Sequence, residues 1–302
     1  MILGDLTESE LQTRLRDQGV ILRTGPFHFR IQSNLAPVHV GLATLYDRFP
    51  LGDETGFVDF DVQVHAPLWR RVLRSQARFL VDGQAPFKPL PGDQAFAMLG
   101  WGLNYCVYAH AHQYLIIHAA VLERNGHAVI LAAPPGSGKS TLAAALACRG
   151  WRLLSDELTL IDPVLDGRLV PLARPVSLKN ASIAVIRRFH APAVFGPLAH
   201  DTSKGMVSHL RPPDNSVARM DEPARASHII FPQFSQGAPT RLEPLSRGNA
   251  FMQLAENTVN YSLLGEEGFA HLADLVEGCA CHHFSYSQLE EAVELFHQLS
   301  VS

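Results

Sequence analysis

The chain has 302 residues, 47% hydrophobic and 18% charged, with a formal net charge of −4. This length suits one large domain or two, and the balance is that of a globular protein. The charge and the lack of any Lys/Arg run exclude a dedicated nucleic-acid binder, and no uncharged stretch is long enough to span a membrane. The first residues lack the basic start and apolar run of a signal peptide, so a cytoplasmic location is expected. Four cysteines are too few to staple a chain this long, and Cys106 and Cys148 read as small core residues on helices.

Residues 5 to 19 read as a short amphipathic helix with Leu6, Leu11 and Leu15 on one side. Val20–Thr24 and Phe27–Ile31 are strand-like runs broken by the turn pair Gly25-Pro26, and a further short helix is expected over 37 to 47. In 57 to 64, Val58, Phe60, Val62 and Val64 alternate with Asp59, Asp61 and Gln63, the pattern of a strand with one wet face. Ala77–Val81, Asp82-Gly83 and Gln84–Lys88 read as a hairpin. A helix is expected from Asp93 to Ala111, with Phe96, Leu99, Leu103, Cys106 and Val107 on its packed stripe. Residues 1 to 110 carry no obvious catalytic constellation. They read as a small α+β domain that caps a second domain (111 to 302), presents substrate or mediates assembly.

From Tyr114 the strands and helices come closely spaced. Leu115–Leu122 reads as one strand, joined through Arg124-Asn125-Gly126 to Ala128–Ala132. There follows Ala133-Pro-Pro-Gly-Ser-Gly-Lys-Ser140 and a helix running to Gly150. Strand, glycine-rich turn, Lys, Ser and helix in this order give the Walker A, or P-loop, string its physical meaning. The backbone of Pro135, Gly136, Ser137 and Gly138 through Thr141 can close around a polyphosphate, Lys139 can reach the β- and γ-phosphates, and the Ser140 hydroxyl can ligate Mg²⁺. The helix N-terminus adds partial positive charge there. ATP and Mg²⁺ are therefore expected as cofactors, although Ala133 stands where the string usually has its first Gly.

Trp151–Ser155 then leads into the acidic pair Asp156-Glu157 and a second apolar run, Leu158–Ile161. A carboxylate at a strand end beside the phosphate loop suits either a base or a metal ligand. Pro175–Lys179 is strand-like, Asn180 can cap a helix through Phe189, and 190 to 205 read as a long loop. Met206–Leu210 and Ser227–Phe231 are further strands, followed by helices over 247 to 258 and 266 to 277. Cys279-Ala-Cys281-His282-His283 reads as part of a strand, Cys279 to Ser285, rather than a metal site, because C-x-C is tight and no second ligand pair stands at zinc spacing. Ser287-Gln-Leu-Glu290 has the form of a capping box opening a last helix with Leu289, Val293 and Phe296 inward.

His118-Ala119, the loop from Ala133 to Ser140 and Arg149-Gly150 to Asp156-Glu157 together resemble the HPr kinase/phosphorylase superfamily. They look closest to the HPr-kinase-related, serine-kinase-like branch found in bacterial biosynthetic gene clusters. Arg174–Lys179 and Ser208–Pro213 also look like blocks of that branch. The resemblance covers roughly 114 to 300. It implies an α/β P-loop domain with a mixed central sheet flanked by helices, shared with phosphoenolpyruvate carboxykinase, and a homo-oligomer. It further implies that Asp156 takes the proton of the acceptor hydroxyl and that His118 assists near it. Glu157 matches a second acidic residue that helps hold the metal with Ser140 and Asp156. The family's Glu-x-Arg-Gly block is matched only loosely by Leu172-Ala-Arg174-Pro175, so the reverse, phosphorylase activity is not expected.

From the residues alone, Asp156 fits a metal ligand as well as a base, and His118 fits a satisfied core histidine as well as a catalytic one. Lys179 and Arg211 can hold a phosphate or an acidic substrate group, or stand as solvated surface cations. Two functions follow. One is a kinase acting on a serine or other hydroxyl of a peptide, protein or small molecule, with no nucleic-acid or membrane partner. The other is a partner-coupled P-loop ATPase or nucleotide-binding module without an acceptor.

Overall fold

A computed structural model describes residues 1–53, 55–66 and 75–300, so residues 54 and 67–74 of the first segment lie outside it. The chain opens with α1 (Glu8–Arg16), whose start is a capping box: Thr7 Oγ1 accepts from the Glu10 amide at 3.2 Å and Glu10 Oε2 accepts from the Thr7 amide at 2.8 Å. A five-stranded sheet follows, ordered β1 (Val20–Thr24), β2 (Phe27–Ser33), β3 (Phe60–His65), β4 (Gln76–Val81) and β5 (Leu90–Pro91), with β2 and β3 parallel and the other pairs antiparallel. On β2 and β3 alternate residues are buried, as period-2 patterning requires. Helices α2 (Ala36–Leu45) and α3 (Ala95–His110) share the core with these strands. α3 packs so close that a Cβ at Gly102 would stand 1.9 Å from the Phe79 ring. The core continues without a break into Ile116, Leu158, Leu160 and Leu172 of the later chain.

The second half is built on a six-stranded mixed sheet. Its strands are β7 (Ala119–Arg124), β8 (His127–Ala132), β9 (Arg152–Ser155), β15 (Ala226–Phe234), β16 (Arg241–Pro244) and β17 (Ala280–Tyr286), in spatial order β16-β17-β15-β8-β7-β9. β8, β15 and β17 run parallel, and the other three pair antiparallel. Successive side chains enter opposite layers: Ala120, Leu122, Val129 and Leu131 pack with α4 (Lys139–Cys148), α5 (Ala181–Phe189) and α9 (Leu289–Leu299). Ala119, Val121, Ala128 and Ile130 pack with α7 (Arg247–Asn257) and α8 (Tyr261–Glu277). Two three-stranded sheets complete the α/β architecture. One is β11 (Arg168–Val170), β10 (Thr159–Asp162) and β6 (Leu115–Ile117); the other is β12 (Val176–Lys179), β14 (Gly205–Leu210) and β13 (Ala199–Thr202). Among the described residues no helix is long and apolar enough to cross a membrane.

Several expectations are corrected. Leu115–Leu122 is two strands in different sheets, with His118 at the break, where its amide turns to Asn257 O at 2.7 Å. Both pieces are buried on both faces, so the hydrophobic run carried no mark of the division. The compact turn at Asp82-Gly83 forms, Val81 and Gln84 exchanging backbone hydrogen bonds of 2.9 and 2.8 Å, but residues 85 to 88 do not continue as the return strand: β4 pairs next with Leu90–Pro91, and Phe87 packs on Phe79 at 5.4 Å between ring centroids. Asn180 does not cap α5. Its backbone sits at φ +52°, and its side chain bonds the Met206 amide (3.0 Å) and Lys204 O (3.2 Å) instead. The 190–205 loop contains β13, and the helix expected from 266 begins at Tyr261, crossing a non-helical Gly265. Ser287 caps nothing, its hydroxyl donating to Ala238 O at 2.8 Å.

Candidate functional site

β8 ends in the core and the chain turns through residues 133 to 138 into α4. Gly136 and Gly138 have φ of +89° and +88°, a region where a side chain is strained. At Gly138 a Cβ would also stand 2.5 Å from the Tyr286 hydroxyl. That hydroxyl donates to Gly138 O at 3.1 Å, and the Phe234 amide donates to Ser137 O at 2.8 Å, so β15 and β17 hold the loop from one side. Pro134, Pro135 and Gly136 are exposed, whereas Ala133 is buried, its methyl accommodated where glycine is usual. Gly138 has no side chain to cap α4, whose first-turn amides lack intrahelical acceptors and carry the positive end of the helix. The Ser137 hydroxyl is buried without a partner.

Lys139 opens α4 with its ammonium folded inward. It is 8% exposed and Nζ donates to His118 O at 3.5 Å. Burial lowers its pKa, against the pull of Asp156 and Glu157, which favour the charged form. Thr141 faces away, its hydroxyl donating to Ser182 of α5 at 2.8 Å.

Asp156 follows β9 directly and is buried. Oδ2 accepts from the Ser177 amide at 3.2 Å, while Oδ1 is buried with no partner. Burial first, and then the Glu157 charge, push its carboxyl above the ordinary carboxylate range, while Lys139, the Ser140 hydroxyl and the Ser177 amide partly offset them. Glu157 goes the other way. Burial pushes it up, but the hydrogen bond from His118 and the charges of Lys179, Lys139 and His118 outweigh this and hold it low. His118 Nε2 stands 3.4 Å from Glu157 Oε2. Two adjacent carboxylates with pKa values driven apart are the arrangement in which one can stay charged while the other exchanges a proton near neutrality.

The structure thus gathers Lys139, Ser140, Asp156, Glu157, His118 and Lys179. Arg211 is engaged elsewhere, with Asp47 Oδ2 at 3.2 Å and Asp214 Oδ1 at 3.9 Å. Among the described residues no three His, Cys, Asp or Glu side chains cluster as a metal cage. Mg²⁺ does not need one, since it binds through one or two carboxylates with phosphate oxygens and water making up the rest. The Asp156 carboxyl, with Oδ1 unpartnered and the Ser140 hydroxyl acting on the group, fits such an ion, with Glu157 next in the chain.

Ser177, Arg174 and His209 also belong to this region, and the sequence reading assigned none of them a role. Ser177 supports Asp156 through its amide, a contact no residue-type pattern encodes. Arg174 and His209 lay within blocks of the family resemblance but in no recognisable spacing. His209 is held neutral by burial, which pulls its pKa down to about 4.

A family model described as "SynChlorMet cassette protein ScmC" matches residues 91–174, a stretch that includes α3, the glycine-rich turn, Asp156 and Arg174. It is a different family from the one the loop and acidic pair resemble. No curated protein matches the chain. Among solved structures, the HPr(Ser) kinase/phosphatase from Coxiella burnetii matches at 13% identity and a TM-score of 0.27, covering 62% of this chain and 97% of that one. A likeness that low carries no argument about activity.

Proposed function

We propose that this chain is a Mg²⁺-dependent phosphotransferase that moves the γ-phosphate of ATP to a serine or other hydroxyl of a peptide, protein or small molecule. Residues 111–302 would supply the P-loop unit. The observation that carries the proposal is the Asp156 carboxylate: buried, with Oδ1 unpartnered, raised in pKa, and acted on by Lys139 and Ser140 of the first turn of α4. Phosphoryl transfer needs positioning and charge neutralisation more than covalent chemistry. In this reading the loop amides and the Lys139 ammonium hold the phosphates, and Lys139 follows the charge that develops on the transferring group. Asp156 Oδ1 accepts the proton of the attacking hydroxyl. Glu157, kept ionised by His118, balances Lys139 and Lys179. Mg²⁺, held by Ser140 with Asp156 or Glu157, would supply further charge neutralisation on the phosphates.

The contact between the Ser140 hydroxyl and Asp156 equally suits a carboxylate devoted to the metal, and so favours a second reading, a partner-coupled ATPase. Incubation with ATP and a hydroxyl acceptor separates the two. A phosphorylated product with little ATP loss in its absence supports the kinase, whereas ATP loss stimulated by a partner without any phosphorylated product supports the ATPase.

A further inference from the structure

Four strands of the six-stranded sheet run the same way. β8, β15 and β17 are parallel, and β9, antiparallel to β7 as β7 is to β8, shares their direction. Their C-terminal ends therefore open on one side of the molecule, the side on which sheets of this kind bind ligands. In spatial order that side carries Tyr286 ending β17, Phe234 ending β15, the glycine-rich turn after β8, and Asp156 after β9. The turn lies between a carboxylate on one flank and two aromatic rings on the other.

That order gives a nucleotide a direction. With the γ-phosphate towards Asp156, the α-phosphate, ribose and base leave the turn on the opposite flank, over β15 and β17. Phe234 stands there. Its amide donates to Ser137 O at 2.8 Å, and a Cβ on Gly138 would lie 2.9 Å from its own Cβ, so the side chain starts from the turn itself. Ile230 packs in the layer of α4, and Phe234, four residues further along the same strand, falls on the same face. Yet its ring is 48% exposed. Tyr286, its partner in register on β17, meets it at 5.7 Å between centroids and 68° between planes. The Tyr286 ring is itself buried, with its hydroxyl on Gly138 O at 3.1 Å, so it backs Phe234 from the protein side. The next residues, Ser235, Gln236 and Gly237, are small or polar and exposed. A lone exposed ring is ordinary on a protein surface. This one is bonded through its own backbone to the turn that would cradle the phosphates.

We propose that Phe234 is the platform for the nucleotide base, and that a purine stacks on the open part of its ring. The assignment rests on the phosphotransferase reading above, which sets the direction of the phosphates, and adds to it a subsite and a ligand class. Aromatic rings attract a base through area and offset stacking, so a purine is held more tightly than a pyrimidine. Tyr286 joins the two parts of the site, one end of its side chain on the turn and the ring face-to-edge with the platform.

The test is calorimetric titration of the full chain with the Mg²⁺ complexes of ADP, CDP and ribose 5-diphosphate. The first and last differ only by the base. ADP is expected to bind roughly tenfold or more tighter than ribose 5-diphosphate, with CDP between them. Phe234→Ala should weaken ADP roughly 5- to 100-fold, the range for removal of one stacking ring. It should leave ribose 5-diphosphate within about twofold of wild type, which shows that the turn and the fold are intact. Phe234→Trp should keep the ADP affinity, and the fluorescence of the added indole should be quenched by ADP and not by ribose 5-diphosphate. Equal wild-type affinity for ADP and ribose 5-diphosphate overturns the assignment. So does a preference for ADP that survives in Phe234→Ala, or a loss of both ligands there to the same degree, which would mean that the ring only shapes the turn. Each of these leaves nucleotide binding at the turn standing. Failure of wild type to bind any of the three removes the phosphotransferase reading, and the platform with it.

Discussion

His118 Nε2 lies 3.4 Å from Glu157, and the carbonyl of the same residue takes the Lys139 ammonium at 3.5 Å. One residue, at the point where the β6–β7 run changes sheet, therefore touches both the second carboxylate and the loop lysine. The family resemblance places a histidine near the proposed base; here it reaches the base's neighbour. Its effect on Asp156 passes through Glu157, whose charge raises the Asp156 pKa.

His118→Ala removes the hydrogen bond that keeps Glu157 ionised but leaves the backbone carbonyl for Lys139. Glu157 then takes up a proton more readily, and Asp156 loses part of the repulsion that raises it. A fall in kcat of roughly 10- to 100-fold is expected, below the full range of a general base. The acid limb of the pH–rate profile should move to lower pH. His118→Gln, which can still donate to Glu157, should restore part of kcat.

Asp156→Asn should lower kcat by roughly 10²- to 10⁴-fold, the usual range for a general base. It should also stabilise the nucleotide-free protein at neutral pH. A carboxyl whose folded pKa is raised contributes stability below its unfolded pKa, and that contribution is lost as pH rises through the folded pKa. At pH 7 the buried charge is therefore a cost that Asn removes. Thermal melts should show Asp156→Asn above wild type at pH 7, with the gap closing towards pH 4.

The pH dependence of kcat/KM follows from the same carboxyl. The base must be ionised, so the rate should climb with pH through an apparent pKa above the ordinary Asp value of about 4. A limb at or below that value would mean that Asp156 is not the titrating base.

Gly138→Ala places a side chain at φ +88° and against the Tyr286 hydroxyl. The local strain is of order 1–3 kcal/mol, and it falls on the turn that would cradle the phosphates. Loss of nucleotide affinity by tenfold or more is expected in a thermal-shift titration, with the rest of the fold intact. Tyr286→Phe removes only one hydrogen bond, about 1 kcal/mol, and should weaken nucleotide binding mildly.

Away from the site, Arg152 Nε pairs with Glu123 Oε2 at 2.7 Å in the core, with Arg219 at 3.6 Å. Glu123→Ala leaves Arg152 buried without its paired carboxylate, although Nη1 keeps the carbonyls of Arg219 and Glu222; the loss should approach the roughly 3–5 kcal/mol of a broken buried pair, read as a lower urea midpoint.

Where local chemistry decides, the sequence was legible. The alternation of Phe60, Val62 and Val64, the β7–β8 hairpin through Asn125-Gly126, and the strand–turn–helix around Gly136 and Gly138 all stand as their residue types require. Legibility ended where a distant partner decides. Asn180 has the chemistry of a helix cap, yet its side chain is used by the turn before Met206. Ser287 is drawn to Ala238, and the break at His118 depends on Asn257 and Asn260, more than a hundred residues away. The carboxylate pair was visible at Asp156-Glu157. Its setting was not, because Ser177 on β12, Arg174 just before it and His209 on β14 come beside it through a strand placement that no local pattern encodes.

The most direct test is incubation with γ-labelled ATP and Mg²⁺, alone and with extract of the cell the protein comes from, with wild type beside Asp156→Asn and Lys139→Ala. The account predicts a labelled acceptor with wild type and none with either variant. Phosphate release without a labelled acceptor in any fraction, or labelling that survives in Asp156→Asn, would contradict it.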